Sequence, residues 1–314
     1  MKLARAAALA LALLLEPAGR ALSSSPGALV VVSPGPEAYR TAGDAARRSI
    51  DEGGVPAEVV VLEDAAAEKR VAERLAASGN VALAVGARAA RFVRAQAPDA
   101  RLVYAMLLDP EALGLPGPGD APKKNMTGVT MDVDPAAQLE VLKTLAPEVK
   151  RIGVLYDPAI SGAAVRKAQA IARSKGFEVV AQAVRGEGEV LSAATLLVSS
   201  VDALWGIADS TVLTAANARA LILLALRSHK PLLALSESFV RTGALAALAA
   251  DPAEVGRAAG TMAASLAKNE QQQAPSPIGP PRLDLFLNKA TAEHIGVAVP
   301  PQLAAKASAV YPTP

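Results

Sequence analysis

The sequence predicts an α/β protein, built as two doubly wound parallel-sheet lobes joined by a hinge that the chain crosses more than once. Three observations predict it. Short apolar runs alternate with stretches of helical periodicity along nearly the whole chain. Three of those runs, RLVYAMLLDP, NMTGVTMDVDP and KRIGVLYDP, end in Asp-Pro, so a polar residue stands where a buried parallel strand would stop. The number of strand-like runs also exceeds what one sheet comfortably holds. In open α/β sheets ligands bind beyond the carboxyl ends of the strands, so the stretch from Arg101 to Pro158 marks where a site belongs.

The elements follow in order. Ala28–Ser33 (ALVVVS) is a buried strand, and a helix over Glu37–Ile50 is stopped by Gly53-Gly54. Ala57–Glu63 is the second strand. Asp64 caps the next helix, whose face carries Val71, Ala72 and Leu75 and which Gly79 closes. Asn80–Ala87 and Arg101–Leu108 are the third and fourth strands. With Asp134 as cap and Pro135 at the first helical position, Leu139, Leu142 and Leu145 mark one helical face. Arg151–Tyr156, a helix from Ser161 to Lys175 and Phe177–Val184 form the next unit. A helix near Glu189–Val198, a strand Val201–Ile207, a helix Val212–Arg227 and a strand Pro231–Ser236 continue the alternation. A helix over Pro252–Ala267, capped by Asp251, precedes the strip KNEQQQAPSPIGPP (Lys268–Pro281), too rich in proline for a helix interior or a central strand. Leu283–Asn288 is the final strand. Asp132–Pro135 and Lys268–Pro281 read as crossings between sheets. The expected division is a leader over residues 1–23, one lobe of 24–132 plus 252–280, and a second of 133–251 plus 281–314, with a ligand in the cleft.

Composition narrows the class. Of 314 residues, 52% are hydrophobic and 20% charged, a globular balance, while only 3% are aromatic, so the core is built from Ala, Val and Leu. Absence of cysteine excludes disulfides, thiolate metal sites, cysteine nucleophiles and lipid attachment at an N-terminal Cys. Lys2 and Arg5 followed by the apolar run Ala6–Leu15 read as an export signal, too short to span a bilayer, with Gly19 and Ala21 or Ala21 and Ser23 as the small residues of a cleavage site. The competing reading is an uncleaved anchor. Cleavage after Ala21 leaves 29 basic and 29 acidic residues of the 32 and 30 in the full chain. A neutral mature chain argues against nucleic acid as partner, since phosphate neutralisation needs a basic surface. The expectation is therefore an exported, unanchored periplasmic protein.

Enzyme chemistry finds little footing. Neither His229 nor His294 sits in a metal-ligand spacing, and both read as surface or helix-end residues. No phosphate-cradling glycine loop, HExxH segment or G-x-S-x-G elbow is present. Asp132-x-Asp134 places two carboxylates on one strand face, but a crossing followed by an Asp cap explains them more economically than a metal. No cofactor, metal or catalytic residue is expected.

Several segments resemble a known family. VGARAA (Val85–Ala90), VYAMLLDP (Val103–Pro110) and the run from Asn125 to Pro158 are similar to the aromatic-amino-acid-type branch of ABC-transporter substrate-binding proteins. So are Val201–Val212, Lys230–Ala259 and Leu287–Ala307, in the same order over nearly all of the mature chain. The resemblance implies the type I periplasmic binding protein fold, three crossings, a small ligand enclosed on closure, and an ABC permease as membrane partner of a monomeric carrier. It also implies an aromatic or branched amino acid as ligand. A sensory module feeding a membrane receptor shares these features and stays open, as does an enzyme with an unrecognised site. Where the family often has Thr, this chain has Ala87, so another small carboxylate or amide stays open too.

The candidate ligand-binding residues lie at strand ends. Ser33 closes the first strand. Gly86-Ala87 leads a strand into a helix, where backbone N–H groups can bind a carboxylate, and Arg88 can pair with an anion. The competing readings are a tight turn for Gly86 and a solvated helix start for Arg88. Asp109, Asp157 and Asp209 can each hold an ammonium or serve as caps, with Asp209 favoured because no proline follows it and Ser210 and Thr211 can cap the helix. Tyr156 offers a stacking surface, Tyr104 reads as core, and Trp205 faces either cleft or core. Ser236 and Glu237 supply a donor and a charge, or a loop cap.

Overall fold

The computed structural model describes residues 27–76, 81–121, 123, 125–268 and 273–312. The leader over 1–23, Gly79 as a helix stop, Asn80 as a strand start and residues 269–272 of the Gln- and Pro-rich strip lie outside the described residues.

Short, mostly apolar runs form the first sheet. β1 (Ala28–Val32), β2 (Ala57–Val61), β3 (Val81–Val85), β4 (Arg101–Leu107) and β5 (Met126–Thr130) are all parallel, in the order β2-β1-β3-β4-β5. β1 and β3 are buried at every position, as strands covered on both faces must be. Helices α1 (Glu37–Glu52), α2 (Ala65–Ala76) and α3 (Ala87–Gln96) supply the crossovers. The two glycines expected to stop α1 do so: Gly53 is its C-cap, and Gly54 turns the chain at φ 74°.

Past β5 come α4 (Pro135–Leu145), β6 (Arg151–Tyr156), α5 (Pro158–Ser174), β7 (Glu178–Ala183), α6 (Val190–Val198), β8 (Ala203–Trp205), α7 (Ala215–Arg227), β9 (Leu232–Ala234), α8 (Glu237–Thr242) and β10 (Ala246–Ala250). Then follow α9 (Pro252–Ala267), β11 (Leu283–Asn288), α10 (Lys289–Ile295), α11 (Pro301–Ala304) and β12 (Ala309–Tyr311). The second sheet runs β12-β11-β10-β9-β8-β6-β7. β6 to β10 are parallel, and the β10–β11 pairing is antiparallel. This is the two-sheet α/β architecture expected from the alternation.

Caps explain most boundaries. Asp64, Asp134 and Asp251 accept from backbone N–H groups as expected, at 2.8 Å from Ala67, Ala136 and Ala253. α5 begins at Pro158 rather than Ser161, because Asp157 caps it through Ala159 N–H at 2.9 Å and proline suits the first turn. α7 begins at Ala215 rather than Val212, because Thr214 caps it.

After β10 the chain leaves the second sheet, and α9 packs on α1 and against β3, β4 and β5 of the first. It then returns to the second sheet as β11. Contact between α9 and α1 is unusually close. A Cβ added at Gly256 would lie 2.1 Å from the Ala42 carbonyl oxygen, and one at Gly260 2.4 Å from that of Ala46. Ser49 and Thr261 share a hydrogen bond at 3.0 Å across the same seam. Small residues substitute here for aromatic bulk, letting two helix backbones approach over the core of Val30, Val32, Val103 and Val129. The second sheet is covered by α4, α5 and α10 on one face and by α6, α7 and α8 on the other. A fully buried side chain such as Ile50, Leu83 or Ile152 contributes roughly 1.5–3 kcal/mol by leaving water.

Candidate functional site

At the carboxyl edge of the first sheet, Gly86 holds φ 84°, ψ 163°, a region open essentially to glycine. Its N–H donates to Ala105 O at 2.9 Å, and its carbonyl accepts from Ala90 at 3.1 Å. Ser33 is buried, and its Oγ accepts from Ala89 N–H at 2.9 Å. A Cβ on Gly86 would come within 2.8 Å of that Oγ and 3.0 Å of the Tyr39 ring. The N–H groups of Ala87 and Arg88, in the first turn of α3, have no acceptor among the described residues. Such a pair, at the positive end of a helix, is suited to an anion. The Arg88 side chain is occupied elsewhere, pairing with Glu68 of α2 at 2.9 Å. Tyr39, beside Gly86, stands in the first turn of α1 rather than at a strand end, so its sequence position gives no sign of the site.

The end of β4 is irregular. Met106 has φ 60°, and the pairing with β5 shifts register between Ala105 and Leu107. Asp109 Oδ1 accepts from Ala112 N–H at 2.9 Å, capping the short 3-10 turn Glu111–Leu113. Beyond β5, Asp132 is solvent-exposed as a residue. Even so, enclosure of its carboxyl by surrounding protein, and next the Asp109 carboxylate, push it up to about 6. Lys167 on α5 opposes that rise and Glu111 adds to it. Water screens part of these charge effects, and the direction is that of a carboxyl whose charged form loses solvation, with like charges adding to it. Tyr104, deep in the core, donates its hydroxyl to Pro116 O, and burial raises its pKa first of all.

In the second sheet, Asp209 is 4% exposed and both its oxygens are engaged. Oδ1 accepts from Thr211 N–H at 2.9 Å and Val212 N–H at 3.1 Å. Oδ2 accepts from Asp157 N–H at 2.7 Å and Ser161 Oγ at 2.5 Å. Thr211 Oγ1 donates back to Asp157 Oδ2 at 2.9 Å. The favoured ammonium grip is thus a tie between the loops after β6 and β8. Tyr156, half-buried beside this tie, packs against the α4–α5 side of the sheet. Trp205 takes the core side of its two alternatives. It is 3% exposed and donates Nε1–H to Gln138 Oε1 at 2.9 Å.

Ser236 shares a hydrogen bond with Ser238 at 2.9 Å. Glu237 accepts from Arg241 at 2.7 Å and from the Tyr311 hydroxyl, so its charge serves the β12 edge, and these bonds lower its pKa. The structure therefore brings Ser33, Gly86 and Ala87 together, sets Asp109 beside Asp132, and joins Asp157 to Asp209. It directs the side chains of Arg88, Trp205 and Glu237 to structural partners. His229 and His294 stack with centroids 4.9 Å apart, and each ring reaches a backbone carbonyl. Among the described residues no group of three or more His, Cys, Asp or Glu is placed to hold a metal ion, and no helix is long and apolar enough to cross a membrane.

An apolar cavity of about 30 Å³ lies beside the carboxyl ends of β6, β8 and β9. Leu155, Leu204 and Ala234 supply buried wall, while Ile207, Leu213 and Phe239 are partly exposed.

A tyrosine-binding protein of Clostridioides difficile (strain R20291) is 27% identical over 167 residues, 52% of this chain and 48% of the relative, so the chain spans about half the length of that curated relative. The crystal structure of an ABC domain in complex with L-Trp from Streptococcus pneumonia is 25% identical, with a TM-score of 0.68, covering 91% of this chain and 100% of that one. The ligand-free, open form of a substrate-binding protein with adhesive properties from Clostridium difficile is 21% identical, with a TM-score of 0.76, covering 92% and 100%, and shares the fold. The family described as ABC transporter substrate binding protein matches residues 64–311, and the chain belongs to that family.

Proposed function

We propose that this protein captures a small amino acid, aromatic or branched, between its two lobes and presents it to an ABC permease outside the cytoplasm, acting as a monomer after export. The lobes are residues 24–132 plus 252–280 and residues 133–251 plus 281–314. The observation that carries this reading is the family match over 64–311. A relative named for tyrosine and a similar structure holding L-Trp favour an amino acid over other solutes.

The chemistry divides between the elements. The ligand carboxylate is received by the N–H groups of Ala87 and Arg88, in a turn that Gly86 and Ser33 hold open. Its ammonium is held by Asp109 and Asp132, whose crowded negative charge a cation relieves. Both grips belong to the first lobe, and closure follows when the second lobe meets the rest of the bound ligand and so stabilises the state in which the lobes come together. In this reading the ligand is captured and released without turnover.

A thermal-shift screen of the twenty amino acids tests the reading. A ligand at 100 times its dissociation constant stabilises the folded protein by about 2.7 kcal/mol. A flat response to all twenty, confirmed by calorimetry, removes the amino-acid assignment.

A further inference from the structure

The polar candidates at the strand ends of the second lobe are already engaged within the protein. Asp209 accepts four hydrogen bonds, Asp157 caps α5 and accepts from Thr211, and Glu237 is held by Arg241 and Tyr311. What this lobe presents instead is the apolar cavity beside β6, β8 and β9. From this we infer that the cavity takes the ligand's side chain and selects a small aliphatic one over an aromatic ring. The inference rests on the amino-acid reading above and narrows it.

Size decides the choice. The cavity measures about 30 Å³, whereas a cavity lined by Leu, Ile and Phe that admits benzene measures about 150 Å³. Room exists for a methyl-bearing tip and not for a six-membered ring. The walls are apolar, so a hydroxyl such as that of tyrosine would lose its water without gaining a partner. Trp205 cannot enlarge the space by swinging away. Its indole belongs to the opposite face of the sheet, fixed by the hydrogen bond to Gln138. Phe239 and Leu213 are among its partly exposed members, with Ile207 and Leu235. Gly206 also lines the cavity, and a Cβ there would meet Leu233 O at 3.5 Å, an ordinary contact. A methyl can therefore be added to the wall without disturbing the fold.

Isothermal titration of the full chain with L-leucine, L-isoleucine, L-valine, L-phenylalanine, L-tyrosine and L-tryptophan tests the inference. At least one aliphatic member binds about tenfold or more tightly than every aromatic one. Gly206→Ala weakens that aliphatic ligand by about tenfold, the scale of one methyl in an apolar pocket, while Phe239→Ala raises aromatic affinity. An aromatic ligand that binds more tightly to the unaltered chain overturns the inference and leaves the amino-acid reading standing; silence from all six overturns both. If Gly206→Ala does not fold, Phe239→Ala decides: unchanged aromatic affinity there counts against the cavity.

Discussion

The Asp157 N–H donates to Asp209 Oδ2 at 2.7 Å, joining the loop after β6 to the loop after β8 through a buried carboxylate. Ser161 and the N–H groups of Thr211 and Val212 complete the same carboxylate's shell. Hydrogen bonds to a charged group are each worth about 1.5–3 kcal/mol, and orphaned donors add their own penalty. Asp209→Ala is expected to destabilise the protein by roughly 2–4 kcal/mol in urea unfolding, and Ser161→Ala by about 1–2 kcal/mol. Equal stability of Asp209→Ala and the parent would mean that the tie is incidental.

Gly256 faces Ala42 across the α1–α9 seam, with room for a hydrogen and nothing larger. Because the obstacle is a backbone carbonyl rather than a side-chain tip, Gly256→Ala forces the helices apart. The expected loss is about 1–3 kcal/mol or more. Gly279, with nothing within 4 Å of an added Cβ, is the control, and Gly279→Ala leaves the unfolding midpoint nearly unchanged. A Gly256→Ala midpoint as unmoved as the control contradicts the close approach.

Gly86→Ala meets two obstacles, a backbone region closed to alanine and a 2.8 Å approach to Ser33 Oγ. A stability loss of about 1–3 kcal/mol is expected, together with weakened amino-acid binding, because the Ala87 and Arg88 amides move. Ser33→Ala frees the Ala89 N–H and costs about 1 kcal/mol. Ligand titration of both variants, normalised to the folded fraction, checks the binding half.

Asp132 gives a pH prediction. Its carboxyl is raised to about 6 in the folded protein, so between about pH 4 and 6 the native state holds more protons than the unfolded chain. Stability from this group accordingly falls as pH rises through that window. Asp132→Asn, which removes the charge, is expected to be more stable than the parent at pH 7 and indistinguishable below about pH 4. Melting curves across that range carry the test, and a difference that grows toward acid would reverse the sign.

Much of the fold is legible in the sequence because its determinants are local. Valine runs mark β1 and β2, and Asp64, Asp134 and Asp251 announce helix starts through cap chemistry that needs only neighbours. β10 (AALAA) does not announce itself, since alanine and leucine carry no β-branching and suit a helix as readily. β12 is three residues long and exists only through its pairing with β11.

The site is less legible for the opposite reason. That Asp209 spends its oxygens on Asp157 and Ser161, some fifty residues distant, is a fact of tertiary structure. So is the choice of face at Trp205, made by Gln138 at a separation of 67 residues. Residue type identified which groups carry chemistry, while long-range partners determine which of them remain free.

Small-angle X-ray scattering of the chain with and without a saturating amino acid that binds by calorimetry tests the clamshell account most directly. Closure of the two lobes on the ligand predicts a smaller radius of gyration and a shorter maximum dimension in its presence. Superimposable curves at full occupancy would contradict it.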